Sequence, residues 1–513
     1  MSRRAAFVAV PLLALVATGL AVPGPADAGP TPESDAAVAA APSISWKRCG
    51  QARLRAVGAQ CGMLAVPLNH ADPGGRQIKI AVSRIRATAP SSKRQGPLLV
   101  NPGGPGGRGL HWSASLYRDL PRSVRSTYDI VGFDPRGVGA SSPSLRCKAN
   151  YAKGPRPAYR PSSGPAKPPS ANERKWLKRS KAYAEACADR YPKLLPFLRT
   201  EDVARDLDLL RRALGAQRIN YYGFSYGTYL GQVYATLFPT RTRRLVFDGV
   251  VDPRNVWYAG QLAQDRAFEK AMNRFWAWVA KHHRTYRLGS TTKQVRTRYY
   301  REERALTRRQ KGPIGPAEWN DVFLTAGYSQ YTWRAIAGAW ASWERGSTAA
   351  IRSRYSADLA DFDNGYGMYL AVQCTDVAWP EGYARWRRDA FATAKKAKFE
   401  TWGNVWFNAP CLYWKAPPGV PVPIDGSRTP SLLIVSTTLD GATPYSGALY
   451  ARRMFPRSAL VAQVGSTTHS DSLGGNDCVD RRVIRYLRDG TLPRRTSGSG
   501  ADVRCARTPL PRP

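Results

Sequence analysis

The sequence is short of negative charge and of histidine. Its 513 residues include 37 Asp and Glu against 77 Lys and Arg, a formal net charge of +40, and only 5 His. Such an excess is typical either of nucleic-acid or membrane-surface binding, or of a solvated basic surface on an exported protein. The arginines are scattered and form no basic helix or tail, which favours the second interpretation. We therefore expect no nucleic-acid partner, although the charge could hold the protein near an anionic cell wall.

Metal-binding patterns are missing as well. The eight cysteines form no Cys-x-x-Cys and no Cys/His cluster, so we expect no zinc site, and no other metal or organic cofactor is called for. An even number of cysteines in an exported chain indicates disulfides. Sequence does not fix their connectivity, but each cysteine has a neighbour in its own region. The pairs expected on that ground are Cys49–Cys61, Cys147–Cys187, Cys374–Cys411 and Cys478–Cys505.

Beyond the first segment, no stretch is apolar enough to cross a bilayer. Residues 1–28 have a charged start, an apolar run and a small-x-small site ending at Ala28, as a signal peptide does. A membrane anchor is the alternative, but Pro11 and Gly19 interrupt the run. Residues 29–43 form an Ala/Pro-rich leader or pro-segment. We predict a secreted protein, cleaved near Ala28, without a transmembrane anchor.

The most informative stretch is residues 219–228, Ile-Asn-Tyr-Tyr-Gly-Phe-Ser-Tyr-Gly-Thr. It indicates a short apolar strand, then Gly-x-Ser-x-Gly, then a helix, which is the context of a nucleophile elbow. Such a turn points the hydroxyl of Ser225 out of the sheet. Because Gly-x-Ser-x-Gly alone is a weak pattern, a surface turn is the alternative.

A glycine-rich loop at residues 101–107, Asn-Pro-Gly-Gly-Pro-Gly-Gly, follows the apolar strand predicted at 97–100. No Gly-Lys-Ser/Thr follows it, so it is not a phosphate loop, although a plain flexible loop remains possible. Glycines allow the backbone to approach a ligand and turn N–H groups towards it. We expect an oxyanion hole made by the backbone N–H groups of Tyr226 and Gly104.

Strands and helices alternate on both sides of a long interruption. Residues 44–252 and 427–513 predict a mainly parallel sheet with helices on both faces. Within it, residues 77–87 alternate polar and apolar like a half-buried edge strand. Residues 253–426 hold most of the 15 tryptophans with helical periodicity, which predicts an inserted helical lid or substrate domain whose aromatic residues mostly form its core.

A serine needs a base, and in this order of elements the acid and the histidine follow it on later turns. Of the five histidines, only His469 follows a predicted late strand. Asp440 stands where the preceding strand ends, and it would hold the imidazole in the right tautomer. The alternatives are a surface histidine and a helix-capping role for Asp440. We predict Ser225, Asp440 and His469 as the catalytic residues.

Four motifs together carry a resemblance to a known family. They are Asn-Pro-Gly-Gly-Pro-Gly at 101–106, Asp-Pro-Arg-Gly-x-Gly at 134–139, Gly-x-Ser-Tyr-Gly at 223–227 and Asp-x-x-Thr-Pro at 440–444. From about residue 46 to 505 the chain resembles the proline-iminopeptidase-like α/β-hydrolases, within them the secreted actinobacterial tripeptidyl aminopeptidases. One departure is that Thr468, not glycine, precedes the histidine. The resemblance implies an α/β-hydrolase fold and a serine exopeptidase.

The activity implied by the resemblance is hydrolysis of peptides from a free N-terminus, releasing tripeptides, through an acyl-enzyme. A substrate ammonium needs an acidic anchor, for which Glu201, Asp202 and Asp376 are candidates, although local structural roles explain each of them equally well. Alternatives on the same triad are a prolyl aminopeptidase and an esterase or small-amide hydrolase. A non-catalytic cell-wall binding protein is a further alternative, which an intact Ser, Asp and His disfavours.

Overall fold

The computed structural model describes residues 42–357 and 362–513. The predicted signal peptide, 1–28, and nearly all of the predicted leader, 29–43, lie outside these residues. Among the described residues, no helix is long and apolar enough to span a membrane. In the same part of the chain, no three His, Cys, Asp or Glu side chains come together as a metal site requires.

A single sheet of ten strands organises the described chain. In chain order the strands are β1 (Lys47–Arg48), β2 (Gln60–Pro67), β3 (Gln77–Ile85), β4 (Gly96–Asn101), β5 (Tyr128–Asp134), β6 (Ile219–Phe224), β7 (Thr242–Asp248), β8 (Leu432–Thr437), β9 (Ser458–Val464) and β10 (Val503–Ala506). Their spatial order is β1-β2-β3-β5-β4-β6-β7-β8-β9-β10. Strands β4 to β10 run parallel to one another, and the pairs β1–β2, β2–β3 and β3–β5 are antiparallel.

The central strands are buried along their whole length and mostly apolar, because helices cover both faces of a parallel sheet. Every residue of β6 and of β8 is buried. One prediction about the sheet is wrong: β3 is not an edge strand, since it pairs with β2 on one side and β5 on the other. Its alternating pattern reflects one less-covered face, and strands β1 and β2, which were not predicted from the sequence, lie outside it in the sheet.

The helices flank this sheet and fill the interval between β7 and β8. They are α1 (Ala52–Arg55), α2 (Trp112–Asp119), α3 (Arg122–Arg125), α4 (Ala171–Arg190), α5 (Thr200–Ala213), α6 (Tyr226–Leu237), α7 (Tyr258–Lys281), α8 (His283–Tyr286), α9 (Thr292–Arg308), α10 (Pro316–Tyr328), α11 (Trp333–Glu344), α12 (Ala349–Ala357), α13 (Phe362–Asp376), α14 (Tyr383–Ala394), α15 (Thr401–Asn408), α16 (Tyr445–Met454) and α17 (Asp477–Asp489).

Helices α7 to α15 form an insertion with an aromatic core of its own. Trp276, Trp319 and Trp340 are fully buried there, and the rings of Trp276 and Trp340 pack edge to face with centroids 5.8 Å apart. Aromatic rings bury a large apolar area for each residue that is ordered. The insertion therefore has a rigid interior with which to cover the sheet edge where the site lies.

The four disulfides join the cysteines expected from the sequence. The bonded pairs are Cys49–Cys61, Cys147–Cys187, Cys374–Cys411 and Cys478–Cys505. The prediction that neighbours pair is thus confirmed. Two of the bonds link separate elements: Cys374–Cys411 joins α13 to the segment after α15, and Cys478–Cys505 joins the short strand β10 to α17.

Candidate active site

Ser225 lies on the sharp turn between β6 and α6. Its backbone has φ 54° and ψ −126°, an unfavourable conformation for a residue with a side chain. The turn has room because a glycine stands two residues away on each side: a Cβ on Gly227 would lie 2.7 Å from the carbonyl oxygen of Asn101. A strained serine at the carboxyl end of a central strand is the geometry of a nucleophile elbow.

Asp440 and His469 are brought together at the same edge of the sheet, after β8 and β9. The Nδ1 atom of His469 lies 2.8 Å from Oδ2 of Asp440. The other carboxylate oxygen accepts the backbone N–H groups of Ala442 and Thr443, at 2.8 and 3.0 Å, so the carboxylate is held in place. Asp440 also accepts the hydroxyl of Thr443. The imidazole is thereby oriented by a fixed, buried carboxylate.

The surroundings of His469 strengthen its basicity. Burial alone lowers the pKa of the imidazole, but the charge of Asp440, its hydrogen bond and the charge of Asp248 together raise that pKa above its ordinary value. Space beside the ring is tight, since a Cβ on Gly249 would lie 2.9 Å from Cε1 of His469. A raised pKa makes the imidazole a better proton acceptor for a serine hydroxyl.

The nucleophile turn and the histidine loop share one anchor. The backbone N–H of Ser225 donates to the carbonyl oxygen of Asp248 at 3.0 Å, and the hydroxyl of Ser470 donates to that oxygen at 3.1 Å. Asp248 ends β7, which lies between the serine strand and the strands that carry Asp440 and His469. Ser225 and His469 are thus fixed relative to one another through the end of β7.

The glycine loop after β4 packs directly against the nucleophile turn. Gly103 has φ +92°, and a Cβ there would lie 2.5 Å from the carbonyl oxygen of Phe224 and 2.9 Å from Cβ of Ser225. Gly104 and Tyr226, the predicted oxyanion-hole residues, line the same cavity as Ser225. Only a backbone without side chains can approach the serine this closely.

A cavity of about 290 Å³ extends from Ser225 into the helical insertion. Tyr226 and Thr443 line it from the sheet side, and Phe268, Tyr328 and Glu400 line it from the insertion. Its walls combine aromatic side chains with polar and charged ones, which is usual for a site that binds an organic ligand.

Glu400 is the unexpected member of this cavity. Its side chain is 7% exposed, and Oε2 has no hydrogen-bond partner among the described residues. Burial, together with the negative charges of Asp265 and Asp321, raises the pKa of Glu400 well above its ordinary value. A buried carboxyl group without a partner is costly, so it calls for a function.

The three predicted ammonium anchors lie elsewhere, because none of them lines the cavity. Asp376 accepts the backbone N–H of Thr200 at 2.7 Å and the indole N–H of Trp257 at 3.1 Å. Glu201 is half-exposed and pairs with Arg205 at 2.7 Å. Asp202 is near the guanidinium of Arg136, 4.0 Å away. These contacts fit local structural roles, and an anchoring role for any of the three stays a prediction.

Sequence reasoning missed Glu400 because its surroundings carry no motif. The residue stands in Lys-Phe-Glu-Thr-Trp, directly before α15, with nothing to separate it from an ordinary helix start. Only the fold brings it to the cavity of Ser225. Another carboxylate of the insertion, Asp265, is similarly buried, and burial raises its pKa to about 7.

Comparisons with known proteins agree with this fold. A sequence profile described as the alpha/beta hydrolase fold matches residues 96–473. The chain belongs to the α/β-hydrolase fold family. A tripeptidyl aminopeptidase of Streptomyces lividans is 38% identical over 492 residues, covering 93% of this chain and 89% of the relative. The predicted resemblance to that branch and the predicted fold class are confirmed.

Two mycobacterial relatives are also similar. A carboxylesterase B of Mycobacterium tuberculosis is 32% identical over 512 residues, covering 93% of this chain and 95% of the relative. Serine protease Hip1 of the same species is 29% identical over 476 residues, covering 88% of this chain and 89% of the relative. With the fold, the peptidase relatives confirm the prediction that the chain is an enzyme, a serine hydrolase of the peptidase type.

Proposed function

We propose that this protein is an exported serine exopeptidase that removes tripeptides from the free N-terminus of peptides. Ser225 is the nucleophile, His469 the general base and then the general acid, and Asp440 the residue that orients the imidazole. The hydrogen bond of 2.8 Å between Asp440 and His469 and the strained turn at Ser225 support these roles.

The reaction follows from these positions. His469 takes the hydroxyl proton as Oγ of Ser225 attacks the peptide carbonyl carbon, and the developing oxyanion is stabilised by the backbone N–H groups of Tyr226 and Gly104. The imidazolium then gives its proton to the leaving amine, which leaves an ester on Ser225. Water, deprotonated by His469, attacks this ester and releases the acid product.

One observation favours an exopeptidase over a general serine hydrolase. It is the unpartnered carboxyl group of Glu400 in the cavity of Ser225. A peptide ammonium is the group in a neutral-pH substrate that would satisfy this oxygen by a charge-assisted hydrogen bond. Binding would ionise Glu400 and release its proton. The helical insertion closes the cavity around a chain end, which disfavours folded proteins as substrates.

Two features support the finer parts of this proposal. The tripeptide product is inferred from the relative of Streptomyces lividans, a tripeptidyl aminopeptidase. Export is inferred from the signal-peptide pattern of residues 1–28 and from four disulfides.

The charge of +40 favours loose retention on an anionic cell wall. Release of the protein from cell walls by salt, without detergent, tests that retention.

The decisive experiment compares a tripeptide p-nitroanilide that has a free N-terminus with its N-acetylated form. We expect kcat/KM to fall at least about 100-fold on acetylation, because a buried carboxyl group would then face a neutral amide. Glu400→Gln should abolish most of this discrimination, raising KM for the free peptide and leaving the acetylated one unchanged. Glu201→Gln is the matched control at a predicted anchor outside the cavity. If Glu201→Gln loses discrimination and Glu400→Gln keeps it, the anchor is at the predicted position instead.

An esterase or small-amide hydrolase on the same three residues is the second candidate, favoured by the mycobacterial carboxylesterase relative. Equal hydrolysis of free and acetylated substrates, with faster cleavage of simple esters, would support it.

Mass spectrometry of the products from mixed peptides separates a tripeptidyl from a prolyl aminopeptidase. Labelling of Ser225 by a fluorophosphonate, absent in Ser225→Ala, tests catalysis itself, and a failure to label would favour a non-catalytic binding protein.

A further inference from the structure

Asp248 carries a buried carboxyl group that the reaction described above does not use. It is the last residue of β7 and is fully buried. Its Oδ2 atom accepts the backbone N–H of Ser472 at 2.9 Å and also the hydroxyl of Ser472. Its Oδ1 atom has no partner among the described residues. Burying a carboxyl group with an unpaired oxygen costs free energy of folding. That cost suggests that Asp248 has a role beyond ending the strand.

Ser472 belongs to the loop that carries His469. Its hydroxyl lies 2.6 Å from the phenol oxygen of Tyr222, which extends the chain of hydrogen bonds into β6. Ser470 of the same loop is held by the main-chain oxygen of Asp248 and has φ 55°, a conformation that needs support in a non-glycine residue. Both groups of Asp248, main chain and carboxyl, therefore fasten the loop of the catalytic base.

We propose that Asp248 is a second acidic positioning residue, which holds the histidine loop against the nucleophile turn and adds negative charge that favours the imidazolium of His469. This inference depends on the proposed role of His469 as the base. Asp248 acts through His469 and makes no contact with substrate in this account, and Asp440 remains the residue that binds Nδ1.

The charges around Asp248 agree with this role. Burial raises the pKa of Asp248 to about 7, against the hydrogen bonds from Ser472 and the charge of His469, which lower it. Asp471 in the loop raises it further, and burial raises the pKa of Asp471 itself to about 6. Tyr222 stays protonated because burial raises its pKa well above 10. The charge of Asp248 raises the pKa of His469 and the charge of His469 lowers the pKa of Asp248, so each favours the charged form of the other.

The test is the pH dependence of kcat/KM in Asp248→Asn, which keeps the size and loses the charge. Without that charge the pKa of His469 falls, so the acidic limb should move to lower pH by about half a unit, and kcat should fall about tenfold. The control is Ser470→Ala, which removes one hydrogen bond to the same residue and no charge. It should lower kcat with the acidic limb unmoved.

A second measurement is independent of turnover. The titration of the His469 Cε1–H signal, read by NMR and assigned with a His469→Gln variant, should show the same fall in pKa in Asp248→Asn. Should Asp248→Asn not fold, Ser472→Ala replaces it. The carboxyl group of Asp248 then loses a hydrogen-bond donor and is less often ionised. The acidic limb of the pH profile and the NMR titration of His469 should therefore shift in the same direction by a smaller amount. An unmoved limb and an unmoved titration in the folded variant overturn the proposal. Because NMR requires no substrate, this outcome differs from a failure to cleave peptides.

Discussion

The backbone N–H of His469 donates a hydrogen bond of 2.8 Å to the carbonyl oxygen of Tyr328, the last residue of helix α10. The loop of the core that carries His469 is thus bound to the main chain of the insertion. The ring of Tyr328 also meets the imidazole edge to face, with centroids 5.8 Å apart. Two residues later, Gln330 donates its backbone N–H to the hydroxyl of Thr468 at 3.3 Å. The insertion covers the site and also holds the histidine.

Replacing Tyr328 with alanine should lower kcat about fivefold, because the imidazole loses an aromatic contact worth about 1 kcal/mol. Tyr328→Phe is the control. It keeps the ring, and the lost hydroxyl makes no hydrogen bond among the described residues, so kcat should stay within about twofold. Steady-state hydrolysis of a peptide p-nitroanilide measures both. A fully active alanine variant would show that the main-chain bond alone positions His469.

Asp440→Asn should reduce kcat by about 10⁴-fold with little change in KM, since the amide cannot stabilise the imidazolium and favours the wrong tautomer. Asp425→Asn is a matched control on an exposed aspartate that comes before β8. It should retain full activity. Comparable losses in the two variants would argue against Asp440 as the orienting acid.

Gly103→Ala should abolish most activity and lower the free energy of unfolding by about 3 kcal/mol. The added Cβ would be 2.5 Å from the carbonyl oxygen of Phe224, on backbone with φ +92°. Gly338→Ala, in helix α11 with open space around it, is the contrast. That change should raise the free energy of unfolding by up to about 1 kcal/mol, from better helix propensity. Urea unfolding measures both, and a stable, active Gly103→Ala would mean that the loop can retreat from Ser225.

Glu400→Gln should stabilise the ligand-free enzyme, and more so at higher pH. The pKa of Glu400 is raised in the folded state, so the native protein resists ionisation and loses stability as pH rises from about 4.5 through that raised pKa. The variant lacks this loss, and its advantage should reach about 1–3 kcal/mol at pH 8 and be small at pH 4. Thermal unfolding across this pH range checks the slope. Glu201→Gln, at a half-exposed side chain, is the control, and a slope shared by both variants would count against burial of Glu400 as its cause.

The parts of the site that a short pattern encodes were predictable from the sequence. The motif Gly-x-Ser-x-Gly between a predicted strand and a predicted helix indicates Ser225. His469 and Asp440 were singled out because the chain offers so few histidines and because strand ends in a parallel sheet converge on one edge. Those three assignments stay predictions until activity is measured.

The parts that depend on long-range packing were not predictable. Glu400 approaches the site only when α15 folds against α7, and no local pattern marks that contact. Asp248 looked like the ordinary end of a strand, since its partners Ser470 and Ser472 are more than 200 residues away. The role of β3 was misjudged because alternation reports the exposure of a face and says nothing of neighbours along the sheet.

The bond between Tyr328 and His469 has a consequence for biogenesis. Ser225 is synthesised well before the insertion and His469 well after it, yet the loop of His469 is bonded to the insertion. A chain that has not completed its helical layer therefore lacks a contact that holds His469. Under the roles proposed above for Ser225 and His469, such a precursor would have no aligned proton acceptor, and hydrolytic activity would arise only in the last step of folding.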